Sequence, residues 1–535
     1  MIFAVIIAIA TALSAGQLTV ELSFSADQVN MVNVDGYWTV RIDGGYLWGE
    51  PGQPELPAVP INVLLPPGKK AKTIEIDSIN FVPIAEGIIV KPMQKPAIRS
   101  LPRNTRFEFV EPDPEIYHSP QPFPARNVIL SGSGNFFGFS VAGIVIIPFR
   151  YFPKTGRLEM AQKVSFSITY ESSSLSHPVK RSPTSDLVAK KLVESIVVNP
   201  QMTDHYSGLW TWDPSSHDYL IIAPDSFDGI PAMESFRLTL KRMGWNDTLV
   251  RLSDVFSTAH GEDWAAKVRN KIRELWLSEG VVAVALIGDS PLIPLRYAYA
   301  MDCEAGITPD ENYIPCDLYF SDLDGDWNAD HDTLYGEVSD SIDLYPDVLV
   351  GRIAVDNTLQ LENWVRKFRV YVENPPDSFA DKALFLAEIL WHSPLTDAGV
   401  GKDMIHDESL PPHFELVRLY ESMGNESLLS AIAELNKGYN VINHDGHAFY
   451  SGMGVGTGYL NSMLVDRLVN YPRCGVLYSI GCWPAAFDYD CVAEHFLINR
   501  RGGTIAFVGN SRYGWGSPGN PGYGYSDIYD RLFWH

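Results

Sequence analysis

Cys482 and His447 are the side chains of this 535-residue sequence whose type and spacing could do covalent chemistry. His447 closes the stretch His444-Asp445-Gly446-His447, directly after the apolar run at residues 439–443. Cys482 follows Gly481, after the apolar run at residues 475–480. A short apolar run bounded by turn residues and followed by a helical pattern predicts a strand of a parallel sheet. In open α/β sheets the reacting groups collect beyond the carboxyl ends of the strands. His447 and Cys482 are therefore expected at one edge of one sheet. A thiol reacts as the thiolate, and a neighbouring histidine can supply the base or the cation that this needs.

The elements that would position them form a long alternation. From residue 218 onward, strands are predicted over 219–223, 248–252, 281–287, 348–355, 383–390, 415–419, 439–443, 476–480 and 504–508. Helices are predicted over 232–243, 263–277, 359–371, 428–435 and 491–499. Such βαβ alternation predicts mainly parallel sheets with helices on both faces. It divides near Pro375-Pro376 into two tandem α/β subdomains, 215–375 and 376–535. Residues 17–171 read differently. Short β-branched and aromatic runs, separated by Pro51-Gly52-Gln53-Pro54 and Leu65-Pro66-Pro67-Gly68, predict an all-β domain. Residues 172–214 read as a polar, Pro-containing linker, and Lys180-Arg181 within it as either plain solvated chain or a processing site.

Composition narrows the function. A net charge of −24 argues against a nucleic-acid partner, which needs a basic face. Residues 1–15 are almost wholly apolar, too short for a comfortable membrane span, and end in small residues, so residues 1–16 are expected to be a secretory signal. Nothing later predicts a membrane span in the mature chain. Five cysteines are too few for a disulfide scaffold and leave at least one free thiol. Cys303 and Cys316 could pair across a loop. The acidic stretch 321–332 places oxygen ligands at alternate positions (Asp322, Asp324, Asp326, Asn328, Asp330), a spacing that suits structural Ca²⁺ although it is not an EF-hand. No cofactor is expected for catalysis. No G-x-S-x-G lies between a strand and a helix, and there is no H-E-x-x-H, so serine-hydrolase and zinc-peptidase readings fail.

Several stretches carry a family resemblance. They include Ala285-Leu286-Ile287-Gly288-Asp289, Asp317-Leu318-Tyr319-Phe320, Tyr345-Pro346-Asp347-Val348, Ile442 through Ala448, Cys482 with Cys491-Val492-Ala493-Glu494, and Gly502-Gly503-Thr504. In order and spacing the chain resembles the gingipain-like cysteine peptidases, peptidase family C25 of the caspase-like clan. Pro54-Glu55-Leu56-Pro57 and Leu65-Pro66-Pro67-Gly68 resemble that family's β-rich propeptide. The resemblance implies a caspase-like fold and a secreted or surface endopeptidase acting on proteins or peptides, made as a zymogen that its own propeptide inhibits. It implies Cys482 as nucleophile, His447 as general acid, and the backbone N–H groups of Gly446 and Cys482 as oxyanion donors. The Gly446-His447 order favours His447 over His444, although Ala448 stands where the family has glycine. Glu388 matches loosely the carboxylate that orients the histidine, and an ordinary strand-end glutamate is the competing reading. Asp403 and Trp515 match weakly a pocket acid and a pocket wall, which would select Arg or Lys and make Lys180-Arg181 a self-processing site. A helix cap is the competing role for Asp403. The family often continues into an immunoglobulin-like domain, so sequence beyond His535 is expected.

Two other functions fit parts of this pattern. A thioester intermediate resolved by an amine would make the protein a transpeptidase for exported proteins. A non-catalytic calcium-binding surface module would use the β domain and the acidic loop, but the His447/Cys482 pair argues against it.

Overall fold

The computed structural model describes residues 9–14, 16–173, 180–208, 210–211, 213, 215–299 and 312–534. Its contacts divide the chain into two compact units. One comprises residues 1–95, 108–212 and 343–347; the other comprises 96–107, 213–342 and 348–535.

The first unit is built from antiparallel strands. Arg157–Ser172 pairs with Gln17–Ser23, Phe149–Phe152 and the long strand Lys69–Ala85, while Phe139–Ile146 pairs with Leu56–Leu64 and Val128–Phe136. Alternation explains the packing: in Gln17–Ser23, Leu18, Val20 and Leu22 face inward and are fully buried. Of the stretch expected to be a secretory signal, residues 1–8 and 15 lie outside the described residues. Ile9–Ser14 forms a strand antiparallel to Gln17–Ser23.

The expected linker needs correcting. Residues 174–179 lie outside the described residues, but the chain just beyond them is structured. Pro183–Ile196 is a helix, with Ser182 Oγ accepting from Ser185 N and proline in the first turn. Pro183, within the stretch read from sequence as a linker, occupies the position where a helix tolerates proline best. Arg181 is only 5% exposed. Its guanidinium donates to the Phe137 carbonyl and lies 4.1 Å over the Trp210 ring. Lys180-Arg181 is therefore not an exposed dibasic site.

The second unit holds two parallel sheets. In the first, β1 (Tyr219–Ala223), β2 (Asp247–Arg251), β3 (Ala283–Ile287) and β4 (Leu349–Ile353) lie in the order β2-β1-β3-β4. Its two central strands, β1 and β3, are buried on both faces. Leu220, Ile222, Val284 and Leu286 pack against the helix Trp264–Glu279, while Ile221, Ala223, Ala285 and Ile287 pack against Pro231–Arg242 and Thr358–Glu373. In the second sheet, β5 (Lys382–Ala387), β6 (Glu415–Tyr420), β7 (Val441–Asp445), β8 (Val476–Ser479) and β9 (Ala506–Gly509) lie in the order β6-β5-β7-β8-β9. Phe496 of the helix Val492–Ile498 belongs to the core of this sheet, and its neighbour Leu497 to the core of the first.

Residues 96–107 interrupt the β-rich sequence of the first unit but group with the second. Pro96 and Pro102 bracket an extended piece whose strand Ala97–Ile98 pairs antiparallel with Trp515–Gly516. No described helix is long and apolar enough to cross a membrane.

The burial of Arg181 yields a test. Limited trypsin treatment of the folded full chain should leave the Arg181–Ser182 bond intact while exposed basic sites are cut. N-terminal sequencing that found Ser182 among the first fragments would contradict it.

Candidate active site

Register explains why His447 and Cys482 emerge together. β7 and β8 are parallel neighbours with Val441 opposite Val476 and His444 opposite Ser479. The offset between partners is thus the same as the separation of His447 from Cys482, and each lies three residues past a paired position. β5 places Ala387 opposite Asp445, so Glu388 emerges at the same edge.

Glu388 grips the histidine. Its Oε2 accepts from His447 N at 2.7 Å and from Nδ1 at 2.9 Å. Gly446 lets it pass, since a Cβ there would lie 2.9 Å from Glu388 Cγ and Oε2. Nε2 of His447 donates to the Leu101 carbonyl at 3.1 Å. Both of its ring partners are oxygen acceptors.

His444, the competing base, lies on the other face of β7 and is fully buried. Its Nε2 donates to the Gly454 carbonyl and its Nδ1 accepts from Ser479 Oγ, both at 2.8 Å. Burial pushes its pKa down to about 4. It is a neutral structural histidine.

Cys482 is fully buried against Ile98, Trp483, Ala486 and Tyr513. Its Sγ accepts from Gly514 N at 3.3 Å. Burial pushes the thiol up, opposed by hydrogen bonds from Ser100 and Gly514 and by the Arg99 charge. Trp483, next in the chain, has φ +67°, a left-handed conformation unusual for a bulky residue, and its N donates to the Arg512 carbonyl at 2.6 Å. Cys491, by contrast, packs in the core with Sγ 3.5 Å from Glu494 Oε1, and burial raises it far above an ordinary thiol.

Beside Cys482 lies a pocket filled by Arg99, which is 1% exposed. Arg99 N donates to the Gly514 carbonyl at 2.9 Å. Its guanidinium donates to Asp445 and, at 2.6 Å, to Asp527 Oδ2. Burial alone would lower its pKa, but Asp445 and Asp527 raise it further than burial lowers it. Asp445 and Asn443 share the face of β7 opposite His444. On that face Lys402 donates to Asn443 Oδ1 at 2.8 Å and pairs with Asp530. The pocket walls need glycine: a Cβ on Gly514 would meet Ile480 O at 2.3 Å and Arg99 Cδ at 3.2 Å.

Asp403 is not among these contacts. Asp403 lies half-exposed on the helix Ala398–Ser409, where its Oδ1 accepts from Arg418 Nε at 2.8 Å and Tyr420 OH at 3.0 Å. Asp445 and Asp527 hold the arginine instead. Trp515 packs against the Ile98–Cys482 cluster. Asp445 lies two residues before His447, and strand alternation places it on the pocket face with Asn443. Asp527 and Arg99 were missed. For Arg99 the available signal was a lone basic residue in an extended segment between two prolines.

The acidic loop does not gather its five candidate ligands. Asp322 and Asp324 bring carboxylate oxygens within 4.8 Å of each other, and so do Asp330, Asp332 and Glu337 as a separate group. Asp326 accepts from Asn328 N within its own turn. Burial pushes Asp322 up to about 6. Cys303 lies outside the described residues.

The model for peptidase family C25 matches residues 213–535, well over half of the sequence, and that for its propeptide, Propeptide_C25, matches residues 10–194. The chain belongs to peptidase family C25 and carries that family's propeptide region. Among curated proteins it is similar to Lys-gingipain W83 of Porphyromonas gingivalis, 21% identical over 521 residues, covering 92% of this chain and 27% of that protein. The chain therefore spans about a quarter of the length of such relatives. Among solved structures it is similar to the Arg-specific cysteine proteinase gingipain R, at 16% identity and a TM-score of 0.43, covering 56% of this chain and 63% of that one. It is also similar to a complex of the pro- and mature domains of Porphyromonas gingivalis RgpB, at 13% identity and a TM-score of 0.30, covering 36% of this chain and 97% of that one.

His444 gives a pH test. Its unfolded pKa is about 6.5 and its folded value about 4. Between these values the unfolded chain binds the proton and the folded chain does not. Stability is therefore lost as pH falls from 6.5 toward 4, by up to about 3 kcal/mol. In urea unfolding, the stability advantage of wild type over His444→Gln should shrink by about that amount between pH 7 and pH 4. A gap constant with pH would contradict the assignment.

Proposed function

We propose that this protein is an exported cysteine endopeptidase, made latent, that cleaves after arginine. One observation carries the reading: Arg99 is buried between Asp445 and Asp527, its backbone N bonded to Gly514, while Ser100 next to it bonds the Cys482 thiol. The segment lies as a substrate would, with a strand added to the edge Trp515–Gly516.

In this reading Cys482 gives its thiol proton to His447 as Sγ bonds to the carbonyl of the arginine in the pocket. The N–H groups of Gly446 and Cys482 receive the oxyanion, each worth about 2.7–4 kcal/mol if it serves as such a donor. His447 Nε2–H protonates the departing amine, leaving a thioester that water hydrolyses. Glu388, bonded to Nδ1, holds the ring and balances its charge. In the latent chain the Leu101 carbonyl takes the Nε2–H instead, and Trp391 Nε1 donates to the same oxygen at 3.3 Å. Residues 96–107 thus act as the inhibitor. Export rests on the apolar residues 1–15. Calcium on the acidic loop belongs to the same proposal, supported by the Asp330, Asp332 and Glu337 carboxylates.

The test uses the full chain and an iodoacetamide probe read by mass spectrometry. Arg99→Ala should label at Cys482 at least tenfold faster than wild type, because the pocket loses its occupant. In activated protein, substrates with arginine before the cut should be preferred over lysine. Asp527→Asn should reduce their kcat/KM about 10–100-fold, in line with the 1.5–3 kcal/mol of a hydrogen bond to a charged group. Equal labelling of wild type and Arg99→Ala, or indifference to arginine, would sink the reading.

A further inference from the structure

The carboxylate that holds His447 has a second tenant. Glu388 Oε1 accepts from Arg103 Nη2 at 2.7 Å, and Glu421 Oε1 accepts from Arg103 Nη1 at 2.6 Å. The same guanidinium donates to the Gly456 carbonyl. Three acceptors thus surround one cation, four residues beyond Arg99. The backbone holds the register, with the Arg103 carbonyl accepting from His392 N at 3.0 Å.

The cradle is fixed independently of its occupant. Glu421 Oε2 accepts from Ile389 N at 2.9 Å. Glu426 is 8% exposed, and its Oε2 accepts from Gly456 N at 2.9 Å, which aims the Gly456 peptide. Burial first, then the nearby Glu388 and Glu421 charges, pushes the Glu426 carboxyl up to about 9, so it is neutral at pH 7. Two negative charges remain for Arg103. Glycine again permits the approach, since a Cβ on Gly454 would lie 2.6 Å from Glu388 Oε1.

We propose that Glu421 and Glu388, with the Gly456 carbonyl, form a second specificity subsite, which binds a basic side chain on the fourth residue beyond the cleaved bond. This rests on the reading of Arg99 as the residue before that bond. Under it, the enzyme selects on both sides of the cut. The occupant of the second subsite also touches the carboxylate that orients the general acid.

The test is protection of Cys482 from the iodoacetamide probe in the full chain carrying Arg99→Ala and Arg103→Ala, whose own segment has lost both anchoring side chains. The protecting peptides have the sequence of residues 96–107 with Arg, Lys, Gln or Glu at position 103. Arg and Lys should protect at concentrations at least tenfold below Gln, with Glu weakest. Adding Glu421→Gln should compress the Arg-to-Gln ratio below threefold. Protective concentrations within twofold across all four peptides would overturn the subsite. A peptide with Gln at position 99 that protects as well as one with Arg would instead overturn the pocket reading and leave the subsite measured. Should the double variant misfold, kcat/KM for the same four peptides with activated wild type gives the same ratios, with the same outcomes deciding.

Discussion

Five buried charges make the site. Arg99 and Lys402 face Asp445, Asp527 and Asp530, and none of the five residues is more than 5% exposed. Charges survive in a protein interior only when paired and hydrogen-bonded. Without a guanidinium in the pocket, three carboxylates share one lysine, and stripping a partner from a buried pair typically costs about 3–5 kcal/mol. The pocket is therefore built around a cation that the rest of the second unit does not supply. Asp445 ends β7, and Gly446-His447 follow at once. The carboxylate bonded to Arg99 and the histidine proposed to protonate the leaving group thus lie two residues apart in the chain.

The same economy recurs at Glu388. One carboxylate faces His447 with one oxygen and Arg103 with the other. It threads between Gly446 and Gly454, where a Cβ on either would lie within 3 Å of it. Those glycines are close-approach positions rather than turn positions, because neither is among the positive-φ residues. The strand register delivers the backbone to the edge, and the missing Cβ atoms allow the carboxylate through.

Much of this was legible in the sequence. Short apolar runs and helical stretches in alternation foretold the two parallel sheets, because strands buried on both faces leave a dense apolar signal. The family resemblance led to Glu388. The pocket was not legible, for a physical reason. The helix Tyr525–Trp534 turns its polar side inward, burying Ser526, Asp527, Asp530 and Arg531, while Tyr529 is 70% exposed and Phe533 47% exposed. Amphipathic reasoning places such acids in water. Here Arg99, more than 400 residues earlier in the chain, supplies the charge that keeps Asp527 inside. Asp403 failed by the same rule in reverse: a helix acid assigned to the pocket has its partners at Arg418 and Tyr420. Lys180-Arg181 misled because a proline beside basic residues reads as exposed chain, whereas Pro183 starts a helix and Arg181 is stacked on Trp210.

Latency, on the proposed reading, uses the contacts of a substrate and adds one. The added strand, the arginine in its pocket and the thiol next to Ser100 are contacts that a cleavable chain would make as well. What differs is the proton donor, because His447 Nε2–H is spent on the Leu101 carbonyl and Trp391 holds that same oxygen in place. Tethering then does the rest. A segment of the same chain competes at an effective concentration on the order of mM when its linker allows the reach, above the range in which most substrates bind their enzymes. A site this complementary to its own segment is therefore silent without being distorted. Activation has to weaken the tether or the buried arginine, and the chemistry at Cys482 can stay as it is built.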